Sequence, residues 1–176
     1  GMRHGELLVL HWPDIDFVSG TAYIHRTLTE VEGRRYTEGD PKTEAGERTI
    51  LLPQPVCDIL RAHKLRQNAE RLKAGASWQQ QDLVFCTLQG KRIWPANMLQ
   101  RFYRLLKKAG LPEMHIHDLR HNAVTLLISM GVNPKVVQEI VGHREIAMTM
   151  EVYAKVLPSM QQEAIEKMKT LFEKPS

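Results

Sequence analysis

The chain has 176 residues, 43% of them apolar and 25% charged, with a net charge of +4. That is the composition of a globular protein of about one domain, and it excludes a disordered chain and a disulfide-stapled miniprotein. It has no apolar run near the roughly 20 residues that span a membrane, no secretion signal at its start and only two cysteines, so we expect a cytoplasmic protein.

The first third of the chain predicts strands. An apolar-periodic stretch opens the sequence without a helix cap ahead of it, which indicates a start inside a domain. Alternating apolar residues on either side of Ser19-Gly20 predict a β-hairpin, and a further strand is predicted over residues 48–52. The polar segment 30–47 between them is either a long hairpin tip or an extended strand pair.

From Pro55 onward the periodicity is helical, apart from a short apolar strand predicted over residues 82–86. The predicted helices run from Pro55 to just before Gly75, over 95–109, over 118–130, from Pro134 to about Gly142, and from Ser159, with Gln162 completing a capping box, to about Phe172. The side chains predicted to face inward on the first three are Val56, Ile59 and Leu60; Met98, Leu99, Phe102, Leu105 and Leu106; and Leu119, Ala123, Leu126 and Leu127. The elements therefore predict a mainly α fold with a small antiparallel β-sheet.

Positive charge is concentrated in the middle of the chain. Residues 51–110 carry 11 Lys and Arg against 3 Asp and Glu, and Arg101, Arg104, Lys107 and Lys108 lie on the outer face of one predicted helix. Such a segment suits a polyanion such as the DNA backbone, but it equally suits a solvated helix face. Charge alone leaves both interpretations open.

Four short stretches combine side chains that suit phosphoryl transfer. They contain Arg3 with Glu6, Lys42, His117 with Arg120, and His143 followed ten residues later by Tyr153. Taken singly, each residue is more simply a surface cation, a helix-terminal charge or a partly buried tyrosine. In this order and spacing, the segments GMRHGELLVLHWPDID, PKTEAGERTILLP, HIHDLRHNAVTLLISMGVNPKVVQEIVGH and MEVYAKVLP resemble the tyrosine recombinase (phage integrase) family over residues 1–158.

The resemblance implies a role for each residue. Arg3 and Arg120 would be the catalytic arginines, Glu6 the supporting acid, Lys42 the lysine of the β-hairpin, His117 and His143 the two histidines, and Tyr153 the nucleophile. It also implies the DNA breaking-rejoining fold, with residues 1–176 forming a catalytic-domain fragment that lacks the N-terminal DNA-binding domains. The implied partners are double-stranded attachment-site DNA, further copies in a tetramer on that DNA, and accessory excision or host DNA-bending proteins. The implied location is the bacterial cytoplasm, at the nucleoid when DNA is bound.

Phosphoryl transfer to a tyrosine requires these residue types, independently of the family resemblance. A phosphodiester attacked in line gains negative charge, which two arginines can neutralise without a metal or other cofactor. A phenol needs a base or nearby cations to act as a nucleophile, and His117 or the arginines could supply that help. The departing 5′ oxygen needs a proton, for which Lys42 is the candidate donor.

Three other functions remain open from the sequence. His117 and His121, with His115 or His143, could bind zinc in a hydrolase, although Asp118 and Arg120 break the HExxH pattern. A type IB topoisomerase-like enzyme shares the recombinase chemistry, and a non-catalytic DNA-binding module would need none of it. The amphipathic last helix could dock on a neighbouring copy or on its own domain; a break at Leu157-Pro158 would favour the neighbouring copy.

Overall fold

The computed structural model describes residues 1–31, 35–40 and 46–172. The chain divides into two compact units, one of Met2–His117 and one of Asp118–Ser176 together with Gly1. The described elements are mainly helical, with antiparallel strands in the first unit only, as the sequence predicts. Within the described residues, no helix is both long and apolar enough to cross a membrane.

In its described residues, the first unit begins with a short helix and continues through five strands to two longer helices. Its elements are α1 (His4–Leu8), a 3-10 helix (Trp12–Asp14), β1 (Ile15–Asp16), β2 (Thr21–Ile24), β3 (Thr27–Val31), β4 (Arg35–Gly39), β5 (Arg48–Leu51), α2 (Gln54–Ala74), a second 3-10 helix (Gly75–Ser77) and α3 (Pro95–Ala109). Pro55 and Pro95 lie in the first turns of α2 and α3, where a missing N–H costs nothing. Gly110 ends α3 in a left-handed conformation with φ 66°.

The strands in the described part of the chain form two antiparallel sheets. One has the order β1-β2-β5, with Ile15 opposite Ala22 and Ile24 opposite Arg48, which confirms the predicted hairpin and the strand after it. The other is the β3-β4 pair, so the described part of segment 30–47 is an extended strand pair. Lys42 lies outside the described residues.

The core of the first unit lies between the sheet and the segment around Val84. Its buried residues are Leu10, Trp12, Ile15, Ala22, Ile24 and Val84, and a second cluster of Leu8, Val9 and Leu28 joins α1 to β3. The strand predicted over residues 82–86 is wrong. The segment is attached by isolated bridges, His11 with Leu83 and Cys86 with Arg92, and single bridges do not make a ladder.

The predicted inward faces of the helices are partly wrong. In α2, Val56 and Ile59 are exposed, while Cys57 and Gln67 are buried and Leu60 packs on the core. In α3, Leu106 is buried but its neighbour Leu105 is exposed. In the helix Asp118–Ser129 (α4), Val124 and Ile128 are buried, whereas Leu119 and Leu126 are exposed. Each helix has more apolar residues than its one contact face can cover, so apolar spacing alone does not identify that face.

The described part of the second unit is a bundle of three helices, α4 (Asp118–Ser129), α5 (Pro134–Val141) and α6 (Ile146–Phe172). The buried side chains Val124, Ile128, Val137 and Val141 form its core, and Val152, Tyr153, Val156 and Met160 of α6 pack against them. The predicted cap of α5 is confirmed, because the Asn133 side chain accepts a hydrogen bond from the Lys135 amide at 2.8 Å. Gly142, with φ 69°, ends that helix.

The last helix begins thirteen residues earlier than predicted, at Ile146 instead of Ser159. Pro158 lies inside it, and the Ser159 hydroxyl donates to the carbonyl of Val156 instead of capping a new helix. The apolar side chains of α6 pack on the core on both sides of Pro158, and this packing holds the helix together despite the lost hydrogen bond. The predicted break at Leu157-Pro158 is therefore wrong.

Candidate active site

In the first unit, Glu6 joins two arginines. Arg3 donates its backbone N–H to Glu6 Oε2 at 2.8 Å and its Nη1 to Oε1 at 2.9 Å. Arg48, from β5, donates Nη2 to Oε2 at 2.9 Å and Nη1 to Oε1 at 3.1 Å. The Glu6 carboxylate therefore accepts four hydrogen bonds, which matches its full accepting capacity.

The charge state of Glu6 follows from these contacts. Burial by itself raises the pKa of a carboxyl group, and the Glu6 side chain is only 1% exposed. The hydrogen bonds and positive charge of Arg48, followed by the hydrogen bonds of Arg3, outweigh burial and bring the pKa of Glu6 below its usual value. Glu6 is thus an ionised, fully paired carboxylate that orients arginine side chains.

The other predicted site residues of this part of the chain are His117 and Lys42. His117 is exposed and is the last residue of the unit. β4 ends at Gly39 and β5 begins at Arg48, so these strands bracket the chain segment that contains Lys42. A pocket of about 350 Å³ in this unit, lined by side chains that include Trp12, Lys64 and Trp78, contains none of the predicted site residues.

In the second unit, Arg120 and His143 are both buried. Arg120 lies in the first turn of α4 and donates Nη1 to the carbonyl of Gly1 at 2.5 Å. The backbone of His143 is held by Gln138, whose side-chain amide donates to the His143 carbonyl at 3.1 Å and whose carbonyl accepts from the His143 N–H. Two catalytic candidates are therefore fixed inside the bundle.

The ring of His143 is also fixed to the helix that bears Tyr153. His143 Nδ1 lies 2.8 Å from Thr149 Oγ1, and Thr149 is buried one helical turn before Tyr153 in α6. Tyr153 is half-buried, and its ring packs on the bundle core. This contact couples the orientation of the imidazole to the position of the phenol-bearing turn.

Sequence reasoning missed Arg48, Gln138 and Thr149. For Arg48 a signal existed: strand alternation places it on the same side of β5 as the core-packed Ile50, and an inward-facing arginine requires a partner. Gln138 and Thr149 carried no such signal, because polar residues on helices are usually solvated.

The next question is whether the described residues contain ligands for a metal ion. No three His, Cys, Asp or Glu side chains in the described part of the chain lie close enough to hold an ion. Arg3, Arg120 and His143 carry N–H donors, and such groups bind an anion such as a phosphate.

The chain is similar in sequence to known integrases and recombinases. The sequence profile of the phage integrase family matches residues 1–160. The tyrosine recombinase XerC-like protein of Caldanaerobacter subterraneus is 35% identical over 98% of this chain and 47% of its own length. The ICEBs1 integrase of Bacillus subtilis is 27% identical over 97% of this chain and 46% of its own length.

Among solved structures, the Tn1549 transposon integrase in complex with circular intermediate DNA matches with a TM-score of 0.71 and 25% identity. The match covers 92% of this chain and 55% of that one. The chain thus spans about half the length of the curated relatives it matches.

Proposed function

The chain belongs to the phage integrase family, and from that premise we propose that it is a site-specific recombinase that cleaves and rejoins DNA through Tyr153. The observation that carries the proposal is the contact between His143 and Thr149, one turn before Tyr153. It places a buried imidazole in a fixed relation to the helical turn that bears the phenol. Integration or excision of a mobile element is the biological setting that we propose.

The reaction exchanges one phosphodiester for another. The Tyr153 oxygen attacks the scissile phosphorus, a P–O bond to tyrosine forms, and the bond to the 5′ oxygen breaks, leaving a 3′-phosphotyrosine. The phenol proton goes to His117 or, with the arginines stabilising the phenolate, to solvent. The departing 5′ oxygen takes a proton from Lys42. Attack by a second 5′ hydroxyl reverses the sequence and reseals the strand without nucleotide hydrolysis.

The arginines supply the charge that this step requires. Arg3 and Arg120 neutralise the non-bridging oxygens, where negative charge develops, and His143 donates a hydrogen bond to the same phosphate. Glu6 keeps the Arg3 guanidinium in place through the bond at 2.9 Å. All groups that move protons or hold charge come from the chain itself, so we propose that no metal or cofactor takes part.

Double-stranded attachment-site DNA is the proposed partner. The exposed outer face of α3, with Arg101, Arg104, Lys107 and Lys108, supports this proposal, because these cations can contact phosphates. Residues 1–176 would serve as the catalytic part of a longer recombinase that acts in the bacterial cytoplasm, at the nucleoid when bound. Accessory excision or DNA-bending proteins are further proposed partners.

We propose a tetramer on DNA, in which the end of α6 docks on a neighbouring copy. Met160 still packs on its own bundle, but residues 161–166 and Met168 are exposed. Ile165 and Met168 are 57% and 56% exposed, respectively. An apolar face at the end of a helix that continues through Pro158 supports docking between copies over docking on its own unit.

Covalent capture tests the proposed activity. The intact protein is mixed with a randomised library of nicked duplexes, in which the short fragment after the cut diffuses away and traps the intermediate. We expect a denaturant-stable adduct with one enriched sequence, and no adduct for Tyr153→Phe, which keeps the ring and should bind DNA nearly as well as the parent protein. EDTA should leave the adduct unchanged.

Two results would contradict the proposal. A persistent adduct with Tyr153→Phe would exclude this nucleophile, and cleavage that needs a divalent metal would indicate a nuclease. A two-site recombination assay on the enriched sequence then separates a recombinase from a topoisomerase-like enzyme, since only the recombinase exchanges strands between two duplexes.

A further inference from the structure

Arg48 is the more deeply buried of the two arginines that hold Glu6. Its side chain is 7% exposed, whereas that of Arg3 is 37% exposed. Both guanidinium Nη atoms of Arg48 bind the carboxylate, one to each oxygen, in the bidentate geometry that fixes both partners. Arg3 uses one side-chain nitrogen and its backbone N–H for the same carboxylate.

The two arginines therefore share the hydrogen-bond acceptor positions of the Glu6 carboxylate. Arg48 donates one hydrogen bond to each carboxylate oxygen, and the Arg3 backbone N–H donates a second one to Oε2. The remaining acceptor position, on Oε1, takes the Arg3 side chain. Arg3 Nη1 donates to Oε1 at 2.9 Å, and the Arg3 side chain stays 37% exposed. Arg48 thereby limits how far Glu6 can draw Arg3 inward.

The position of Arg48 is itself well determined. It lies opposite Ile24 in the sheet, and its Nη1 also donates to the carbonyl of Gly46 at 3.1 Å. Ile24 and Gly46 are both buried. The sheet thus fixes the position of Arg48, and the hydrogen bonds from Arg48 to Glu6 hold α1 relative to the sheet.

We propose that Arg48 is a positioning residue for DNA cleavage, which acts through Glu6 to present the Arg3 guanidinium to the scissile phosphate. This inference rests on the proposed function. Without Arg48, Arg3 is the arginine that remains on the buried carboxylate within the described residues, and its guanidinium turns to bind both oxygens. Arg3 is then drawn away from the phosphate, although it is chemically unchanged.

A neutral substrate separates this role from a structural one. In a methylphosphonate, a methyl group replaces one non-bridging oxygen of the scissile phosphate, so the cation that neutralises this charge contributes much less to the reaction. The substrate is the sequence enriched by covalent capture, prepared with either a phosphodiester or a methylphosphonate at the cut. Rates of adduct formation are measured at saturating protein for the parent, Arg3→Ala, Arg48→Met and Arg48→Lys.

On the phosphodiester, we expect Arg48→Met to react about tenfold to hundredfold more slowly than the parent, with DNA affinity nearly unchanged. Arg48→Lys keeps the charge but not the bidentate geometry, so its rate should lie between the two. On the methylphosphonate, Arg3→Ala and Arg48→Met should both come within about threefold of the parent.

Arg26→Met is the matched control. Arg26 donates from Nη2 to both oxygens of Asp14, each at 2.8 Å, in the same unit. Its loss should lower stability, measured by thermal unfolding, but any change in rate should be equal on the two substrates. If Arg48→Met does not fold, Arg48→Lys provides the same comparison.

The outcomes distinguish the two proposals. Rescue of Arg3→Ala on the methylphosphonate without rescue of the Arg48 variants would overturn the positioning role and leave the proposed function intact. Failure of the parent protein to form a tyrosyl adduct with any duplex would overturn the proposed function itself.

Discussion

Glu6 illustrates how a buried charge becomes stable when its partners are complete. Removing a carboxylate from water costs several kcal/mol, yet the pKa of Glu6 falls below its usual value because Arg48 and Arg3 together make four hydrogen bonds to it. Because each partner is needed to balance the buried charge, loss of any one of them should destabilise the site.

The first prediction concerns the acid stability of this pair. A carboxyl group with a lowered pKa in the folded state adds stability at pH values above its usual value of 4.5, and this stability is lost as the pH falls further. Glu6→Gln should therefore lower the free energy of unfolding by about 3 kcal/mol at pH 7. It should also flatten the fall in stability below pH 4.5, as urea unfolding at a series of pH values would measure.

Asp14→Asn provides the comparison. The pKa of Asp14 is also lowered, because hydrogen bonds from His11 and His25 and the charge of Arg26 outweigh its burial. Each variant should remove its own part of the acid dependence. Equal pH profiles for Glu6→Gln and the parent protein would contradict the assignment of Glu6 as an ionised group.

At the scale of elements, α6 is the helix on which packing overrides the local signals. Ser159 with Gln162 has the form of a capping box, and Pro158 precedes it, yet both lie inside a helix of 27 residues. A proline there removes one hydrogen bond, whereas Val152, Tyr153, Val156 and Met160 all pack on the bundle. The burial of these side chains exceeds the local cost, so the helix continues.

The second prediction follows from that local cost. Pro158→Ala restores the N–H and should stabilise the protein by about 1 to 3 kcal/mol, as measured by urea unfolding. Pro134→Ala is the control, because Pro134 lies at the first position of α5, where proline is favourable, and its replacement should bring no gain. A loss of stability in Pro158→Ala would show that Pro158 sits in a kink that the bundle requires.

At the scale of the whole molecule, the predicted site residues are distributed over both compact units. Arg3, Glu6 and His117 belong to the first unit, and Arg120, His143 and Tyr153 belong to the second. Each unit has its own buried core. The proposed chemistry therefore depends on two separately stabilised sets of side chains.

The third prediction concerns assembly. Truncation after Gln161 removes the end of α6, including the exposed residues 162–166 and Met168, but keeps Met160, which packs on the bundle. The melting temperature should therefore change little. Binding to a single DNA site should persist, while cooperative assembly of several copies on DNA is lost, as native gels and analytical ultracentrifugation would measure. Unchanged assembly would contradict docking between copies.

The Ile165→Glu and Lys155→Glu variants refine that test. Ile165 is exposed on the segment proposed to dock, so a charge there should block assembly as truncation does. Lys155 is exposed on α6 before Pro158, outside that segment, and its replacement should leave assembly of several copies intact. Equal effects of the two variants would indicate a general effect of charge.

Features that depend on neighbouring residues could be predicted from the sequence. Gly110 and Gly142 end their helices because only a residue tolerant of positive φ fits there, Asn133 caps α5, and alternation around Ser19-Gly20 pairs β1 with β2. The family was also evident from the sequence, because motif order and spacing are properties of the chain alone.

Tertiary contacts determine which face of each helix is buried, where α6 begins, and which side chains hold the candidate site. Arg48 meets Glu6 across 42 residues of sequence, and His143 meets Thr149 only when α6 extends back past Tyr153. These contacts could not be predicted locally, because their free energy comes from burial and pairing between segments that only the fold brings together.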